Sequence, residues 1–93
     1  MDNPEFEWDE DKAKKNFKKH GVSFEEAATI FNDPRIATIF DPDHSADEER
    51  FVSLGMSFIQ RLLSVAHTER NKRTSLISAR KAIKTERKAY END

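Results

Sequence analysis

Histidine, glutamate and arginine stand together at His67-Thr68-Glu69-Arg70, and a second basic cluster follows at Ser78-Ala79-Arg80-Lys81. These residue types suit cleavage of an RNA phosphodiester without a metal. Such cleavage needs a base to take the 2′-hydroxyl proton, an acid to protonate the leaving 5′-oxygen, and cations to offset the charge of the phosphorane. His67 is the candidate acid, and Glu69 the candidate base or the group that orients His67, with the two roles open to exchange. Arg80 is the candidate phosphorane stabiliser and Arg70 a phosphate ligand. Arg61, Arg73, Lys81 and Lys84 are candidate RNA contacts, and Lys84 and Lys88 share a helix face four residues apart. Each residue also has an ordinary alternative. A histidine ending an apolar strand is often structural, charges beside a turn are usually solvated, and an arginine closing a strand often serves a local hydrogen bond.

Spacing can bring the cluster together. His67 and Glu69 are two apart, so on a strand they point to one face. If Asn71 and Lys72 form a two-residue turn, Arg70 faces Arg73, His67 faces Leu76 and Leu63 faces Arg80. In that register Ser78 and Arg80 share the face of His67 and Glu69. A slip of one residue puts Arg80 on the other face.

The elements that must position these groups are legible in outline. Phe6-Glu7-Trp8 reads as a short strand. Asp9 reads as the N-cap of a helix running to about His20, with Ala13 and Phe17 as its buried stripe and Gly21 as its left-handed C-cap. Ser23-Phe24-Glu25-Glu26 reads as a capping box opening a second helix, whose Phe24, Ala27, Ala28 and Phe31 share a face and which Asn32-Asp33-Pro34 ends. Strands are expected over 36–40, 51–58, 62–69 and 74–79, the last two as an antiparallel hairpin, with Gly55 marking a bulge or a close approach. Residues 85–91 close the chain as a helix, with Tyr90 anchored in the core. Helices segregated from strands predict an α+β fold, with helices packed on an antiparallel sheet.

Composition bounds the rest. The 93 residues predict one domain, 1–93. There is no cysteine, so disulfides and thiolate–zinc sites are excluded and a reducing, cytoplasmic setting is expected. The sequence shows neither signal-peptide character nor an apolar run of about 20 residues, so no membrane association is expected. The net charge of −2 conceals an asymmetry: residues 1–50 carry −7 and residues 51–93 carry +5. A basic half on an acidic chain points to a local polyanion site. Asp41, Asp43, His44, Asp47, Glu48 and Glu49 lack cage spacing and read as an acidic solvated loop, so neither metal nor cofactor is expected. No phosphate-binding glycine loop or serine elbow is present, which sets aside nucleotide hydrolases and acyl-transfer enzymes.

An ordered set of strings resembles one family. Phe6-Glu7-Trp8-Asp9, Lys12-Ala13, Asn16 and Lys19 to Ala27 look like the opening of BrnT toxins. Asp41-Pro42-Asp43-His44-Ser45 and Glu48-Glu49-Arg50-Phe51 resemble its middle. His67-Thr68-Glu69-Arg70, Ile77 to Ala82, Glu86-Arg87 and Tyr90-Glu91 resemble its end. The resemblance covers nearly the whole chain. It implies a RelE-like fold: two N-terminal helices on a four-stranded antiparallel sheet, an extra short N-terminal strand being admitted, and a C-terminal helix. It implies a ribonuclease that inhibits translation, the toxin of a bacterial type II toxin–antitoxin pair. Its partners would be RNA and a BrnA-like ribbon-helix-helix antitoxin, with operator DNA reached only through the antitoxin and room for a dimer in that complex. The family's basic and histidine positions map onto His67, Arg70 and Arg80, with Glu69 between them. Two other readings compete. One is a non-catalytic module that binds the antitoxin and assists repression. The weaker is a direct DNA binder, against which stand the absence of a helix-turn-helix and the acidic first half.

Overall fold

A computed structural model describes residues 5–92. Helix α1 spans Glu10–His20, α2 Phe24–Ala28 and α3 Lys84–Glu91; strands are β1 Phe6–Glu7, β2 Ala37–Asp41, β3 Arg50–Met56, β4 Leu62–Arg70 and β5 Arg73–Lys81. They form a five-stranded sheet in the order β1-β5-β4-β3-β2. Strands β2 to β5 are antiparallel to their neighbours, and β1 adds in parallel to the outer edge of β5. The expected α+β arrangement is therefore present, with the short N-terminal strand as a fifth member. None of the described helices is long and apolar enough to cross a membrane.

Local chemistry explains the helix ends. The Asp9 carboxylate accepts from the N–H groups of Asp11 and Lys12, and Gly21 ends α1 at φ 70°, where a side chain is disfavoured. Ser23 Oγ accepts from Glu26 N–H at 3.0 Å. Glu26 does not return the bond expected of a capping box, because its carboxylate turns inward to Arg61 and Ser57. The second helix is also shorter than expected, giving way to a 3-10 turn at Thr29–Asn32. Near its end Asp33 gathers the Met56 N–H, the Arg35 N–H and the Tyr90 hydroxyl. Burial raises the Asp33 carboxyl, but these donors outweigh it and hold it below the usual carboxylate range.

One face of the sheet carries the core. Val22, Phe24, Ala27, Ala28 and Ile30 pack on Leu63, Val65, Leu76 and Ala79, with Trp8, Ala13, Phe31 and Ile36 around them. Gly55 marks a close approach rather than a bulge: a Cβ there would sit 3.1 Å from Ile30 Cβ. The expected stripe of α1 needs one correction. Ala13 faces the core, but Phe17 is 58% exposed and Asn16 is buried. The Asn16 amide donates to the carbonyls of Val22 and Ala79 and accepts from the Ala79 N–H, so it ties α1 to β5. On the opposite face α3 covers only part of the sheet, beside Leu54, Ser64 and Ile39.

Candidate functional site

The β4–β5 turn forms as the sequence predicts. Asn71 and Lys72 adopt φ 52° and 64°, the left-handed pair that a two-residue hairpin turn requires. Arg70 faces Arg73 and His67 faces Leu76. Beyond that point a β-bulge intervenes, and Ala66 faces Ser78, Val65 faces Ala79, and Ser64 faces Arg80. Ile77 is the extra residue. The register is thus slipped by one, and the expectation that Ser78 and Arg80 share the face of His67 and Glu69 is corrected. Arg80 lies on the opposite face, with Thr68, Arg70, Arg73 and Ser75. Packing gives the reason: the bulge buries Leu76 and Ala79, three apart, on the core side.

His67 is 3% exposed, in the core-facing layer. Phe31 meets its ring edge-on at 5.1 Å and Phe51 stacks at 5.9 Å. Its Nδ1 lies 3.1 Å from Glu69 Oε2 and its Nε2 2.7 Å from Ser53 Oγ. A carboxylate only accepts, so Nδ1–H donates to Glu69, and the Ser53 hydroxyl donates to Nε2. Ser53 in turn pairs with Thr38 at 2.7 Å, and Thr74 Oγ1 donates to Glu69 at 3.0 Å. The result is a polar chain across β2, β3, β4 and β5. Desolvation pushes the His67 imidazole below its usual range, against the opposing pull of Glu69.

Folded His67 resists a proton that the unfolded chain accepts, so its contribution is full above the ordinary value of 6.5 and is lost as pH falls below it. The expected result by NMR is that His67 stays neutral below pH 6.5 and that wild-type stability declines on acidification. His67→Ala opens a cavity among Phe31 and Phe51 and takes one hydrogen-bond partner from the buried Ser53 hydroxyl, and should cost on the order of 2–4 kcal/mol. A His67 signal that titrates freely would overturn this.

The expected RNA contacts separate. Arg61 lies by the β3–β4 connection, its guanidinium doubly bonded to the buried Glu26 carboxylate and donating to Gly21 O at 3.0 Å. Arg73 donates to Glu7 and to Phe6 O, holding β1. Lys81 sits on the core-side face opposite Leu63, where its charge helps hold Glu26 ionised. Arg80 makes two 2.9 Å bonds to Glu86, which also accepts the Ile83 N–H at the start of α3. Lys84 is exposed at the first position of that helix. Arg70 pairs with Glu48 at 2.8 Å, both side chains about half exposed.

Arg70 and Arg80 share a face but not a place. Ser64, the partner of Arg80, lies six positions before Arg70 on β4, and at about 3.3 Å per residue the separation is about 20 Å. No single phosphate spans it. At the Arg70 end, a cleft of about 370 Å³ is lined by Trp8, Lys12, Glu48, Arg50, Arg70 and Ser75, among others. Arg50, on β3, is not among the residues that type and spacing single out; its one signal in the sequence is its place in the Glu48-Glu49-Arg50-Phe51 string. Among the described residues, no group of three or more histidines and carboxylates converges as a metal site.

The comparisons with known proteins agree with this architecture. Residues 8–86 match the family described as ribonuclease toxin, BrnT, of type II toxin–antitoxin system. Among solved structures, the chain is similar to the Brucella abortus ribonuclease toxin BrnT, known from a 1.1 Å crystal structure, with a TM-score of 0.60 and 25% identity. That similarity covers 83% of this chain and 94% of the other. The search of curated proteins finds no match.

Proposed function

The chain belongs to the BrnT family of ribonuclease toxins of type II toxin–antitoxin systems, and from that premise we propose that it cuts RNA endonucleolytically and without a metal. The RNA strand lies across the open face of β4 and β5. The observation that carries this reading is the bulge that brings Arg80 round to the face of Arg70. It gives one sheet face two arginines, Arg70 exposed and Arg80 half-buried, at strand positions about 20 Å apart, spaced to contact different phosphates of one strand.

An RNA phosphate competes with the carboxylate partner of each arginine. Glu48 is half exposed, and its surface pair with Arg70 contributes little net stability; the Arg80–Glu86 pair is bidentate and partly buried, so it is the firmer of the two. An RNA phosphate offers the same bidentate acceptor geometry. Lys84, at the start of α3, extends the basic track. His67 and Glu69 then act from behind the site, fixing the end of β4 that carries Thr68 and Arg70. In the cell, cleavage inhibits translation in the cytoplasm. A BrnA-like ribbon-helix-helix antitoxin neutralises the toxin and bridges it to operator DNA, with the whole of 1–93 acting as one domain.

The test is cleavage of a long single-stranded RNA in excess EDTA by wild type and Arg70→Ala/Arg80→Ala. Fragments from the wild type alone support the reading. Equal fragments from both place the chemistry elsewhere. No fragments from either, with growth arrest also absent on expression, leave a module that acts through its antitoxin alone.

A further inference from the structure

The loop between β2 and β3 carries an imidazole that the arginines above do not use. Residues Pro42–His44 form one 3-10 turn. His44 Nδ1 lies 2.8 Å from Asp41 Oδ2, so Nδ1–H donates to the carboxylate and Nε2 keeps the lone pair of the neutral ring. The pair is accessible: the His44 side chain is 63% exposed and that of Asp41 22%. Ser45 fixes the loop, donating to Asp41 O and accepting from the Arg50 N–H at 2.9 Å. The imidazole is therefore held by its carboxylate and by a staple to the strand that bears Arg50.

A small cleft of about 160 Å³ adjoins it, lined by His44, Ala46, Asp47, Glu48, Arg50 and Thr68. Arg50 and Thr68 face each other across β3 and β4. Arg50 Nε and Thr68 Oγ1 are the two buried side-chain polar atoms, among the described residues, that lack a hydrogen-bond partner. Buried polar atoms are ordinarily satisfied by protein, water or ligand, so two facing residues without a protein partner leave hydrogen-bonding capacity free beside the cleft. Arg50 and Glu48 also line the larger cleft, with Trp8 and Arg70. A volume of about 370 Å³ is within the range of small-ligand sites, and an aromatic side chain gives a base a stacking surface.

We infer that the scissile phosphate binds between Arg50 and Arg70, and that His44, oriented by Asp41, is the general base. This rests on the ribonuclease reading and locates its chemistry. The phosphate displaces Glu48 from Arg70. A small rotation of Arg50 presents its Nε–H to a non-bridging oxygen, and the base of the nucleotide stacks by Trp8. His44 Nε2 takes the 2′-hydroxyl proton as O2′ attacks phosphorus. The P–O5′ bond breaks and O5′ leaves with a proton from water. The imidazolium returns its proton to solvent. The products are a 2′,3′-cyclic phosphate and a 5′-hydroxyl, with no oxidant or cofactor consumed.

The experiment is single-turnover cleavage of a short RNA by wild type, His44→Ala, Asp41→Asn and Arg50→Lys. Binding to the matching 2′-deoxy oligonucleotide is measured in parallel. His44→Ala should lower the rate about a hundredfold or more, leave binding of the deoxy strand within about twofold, and regain activity with added imidazole. Asp41→Asn should fall between, and Arg50→Lys should weaken binding as well as rate. Arg50→Lys keeps the charge, and its Tm, recorded with the wild type's, separates loss of fold from loss of binding. A wild type that cuts while His44→Ala cuts equally, or a slow His44→Ala that imidazole does not rescue, overturns the assignment and leaves the ribonuclease reading standing. A wild type that cuts no RNA overturns both.

Discussion

Glu26→Gln is expected to lower stability by about 3 kcal/mol, the cost of stranding one member of a largely buried ion pair, and to lower Tm by roughly 12–24 °C for a chain of this size. Glu26 is 5% exposed at the junction of α2 and the β3–β4 connection. It accepts from Arg61 through two guanidinium nitrogens and from Ser57 Oγ at 2.7 Å. Arg61 continues to Gly21 O, the cap of α1. One carboxylate thus joins α2, the C-terminus of α1 and the β3–β4 connection, and glutamine leaves the Arg61 cation without its counter-charge. The pH dependence has a definite sign. Hydrogen bonds from Arg61 hold the Glu26 carboxyl below its ordinary value of 4.5, with burial opposing them. Its contribution is therefore full above about pH 4.5 and lost as pH falls through the folded value. The Tm gap between wild type and Glu26→Gln should be widest near neutrality and should close in acid. A gap that is small, or constant with pH, would show that the pair carries little.

Arg61 also shows where sequence reading stops. A lone arginine after an apolar stretch has the same appearance whether it grips phosphate or a glutamate 35 residues away. The two-residue turn was legible because Asn71 and Lys72 sit between two strand-like runs, and the pairing from Arg70 to His67 followed directly. The bulge was not, because it depends on which side chains the helices bury. Strict alternation from Leu76 would have buried Ser78, and the core takes Ala79 instead. That single extra residue moved Arg80 from the side of His67 to the side of Arg70. His67 was found by type but not by setting, since its partners Phe31, Phe51 and Ser53 come from other elements. His44 reads as one residue of an acidic loop, because the sequence does not reveal that Asp41 orients it.

The bulge makes a quantitative demand on the open face. Arg70→Ala and Arg80→Ala should each weaken RNA binding about tenfold, and the double variant about a hundredfold. Residues at strand positions about 20 Å apart with no shared partner combine additively in free energy. Had both arginines surrounded one phosphorane, removal of either would have disabled the same step and the second loss would have added little. Each substitution should also reduce the dependence of binding on log salt by about one unit, as one phosphate contact is lost. The two differ in their side effects. Arg70 leaves behind only Glu48, half exposed in a surface pair. Arg80 leaves Glu86, which loses a bidentate partner but still accepts the Ile83 N–H and keeps α3 capped, so the cost in stability should be about 1–2 kcal/mol, more than at Arg70. The measurement is binding of a 2′-deoxy oligonucleotide across a salt series, with Tm recorded for each variant. A double variant no weaker than either single one would place both arginines at one phosphate, against the register of the bulged hairpin. An additive pair with a steep loss of cleavage only at the Arg70 end would place the reacting phosphate beside Arg50, leaving Arg80 to hold the strand further along.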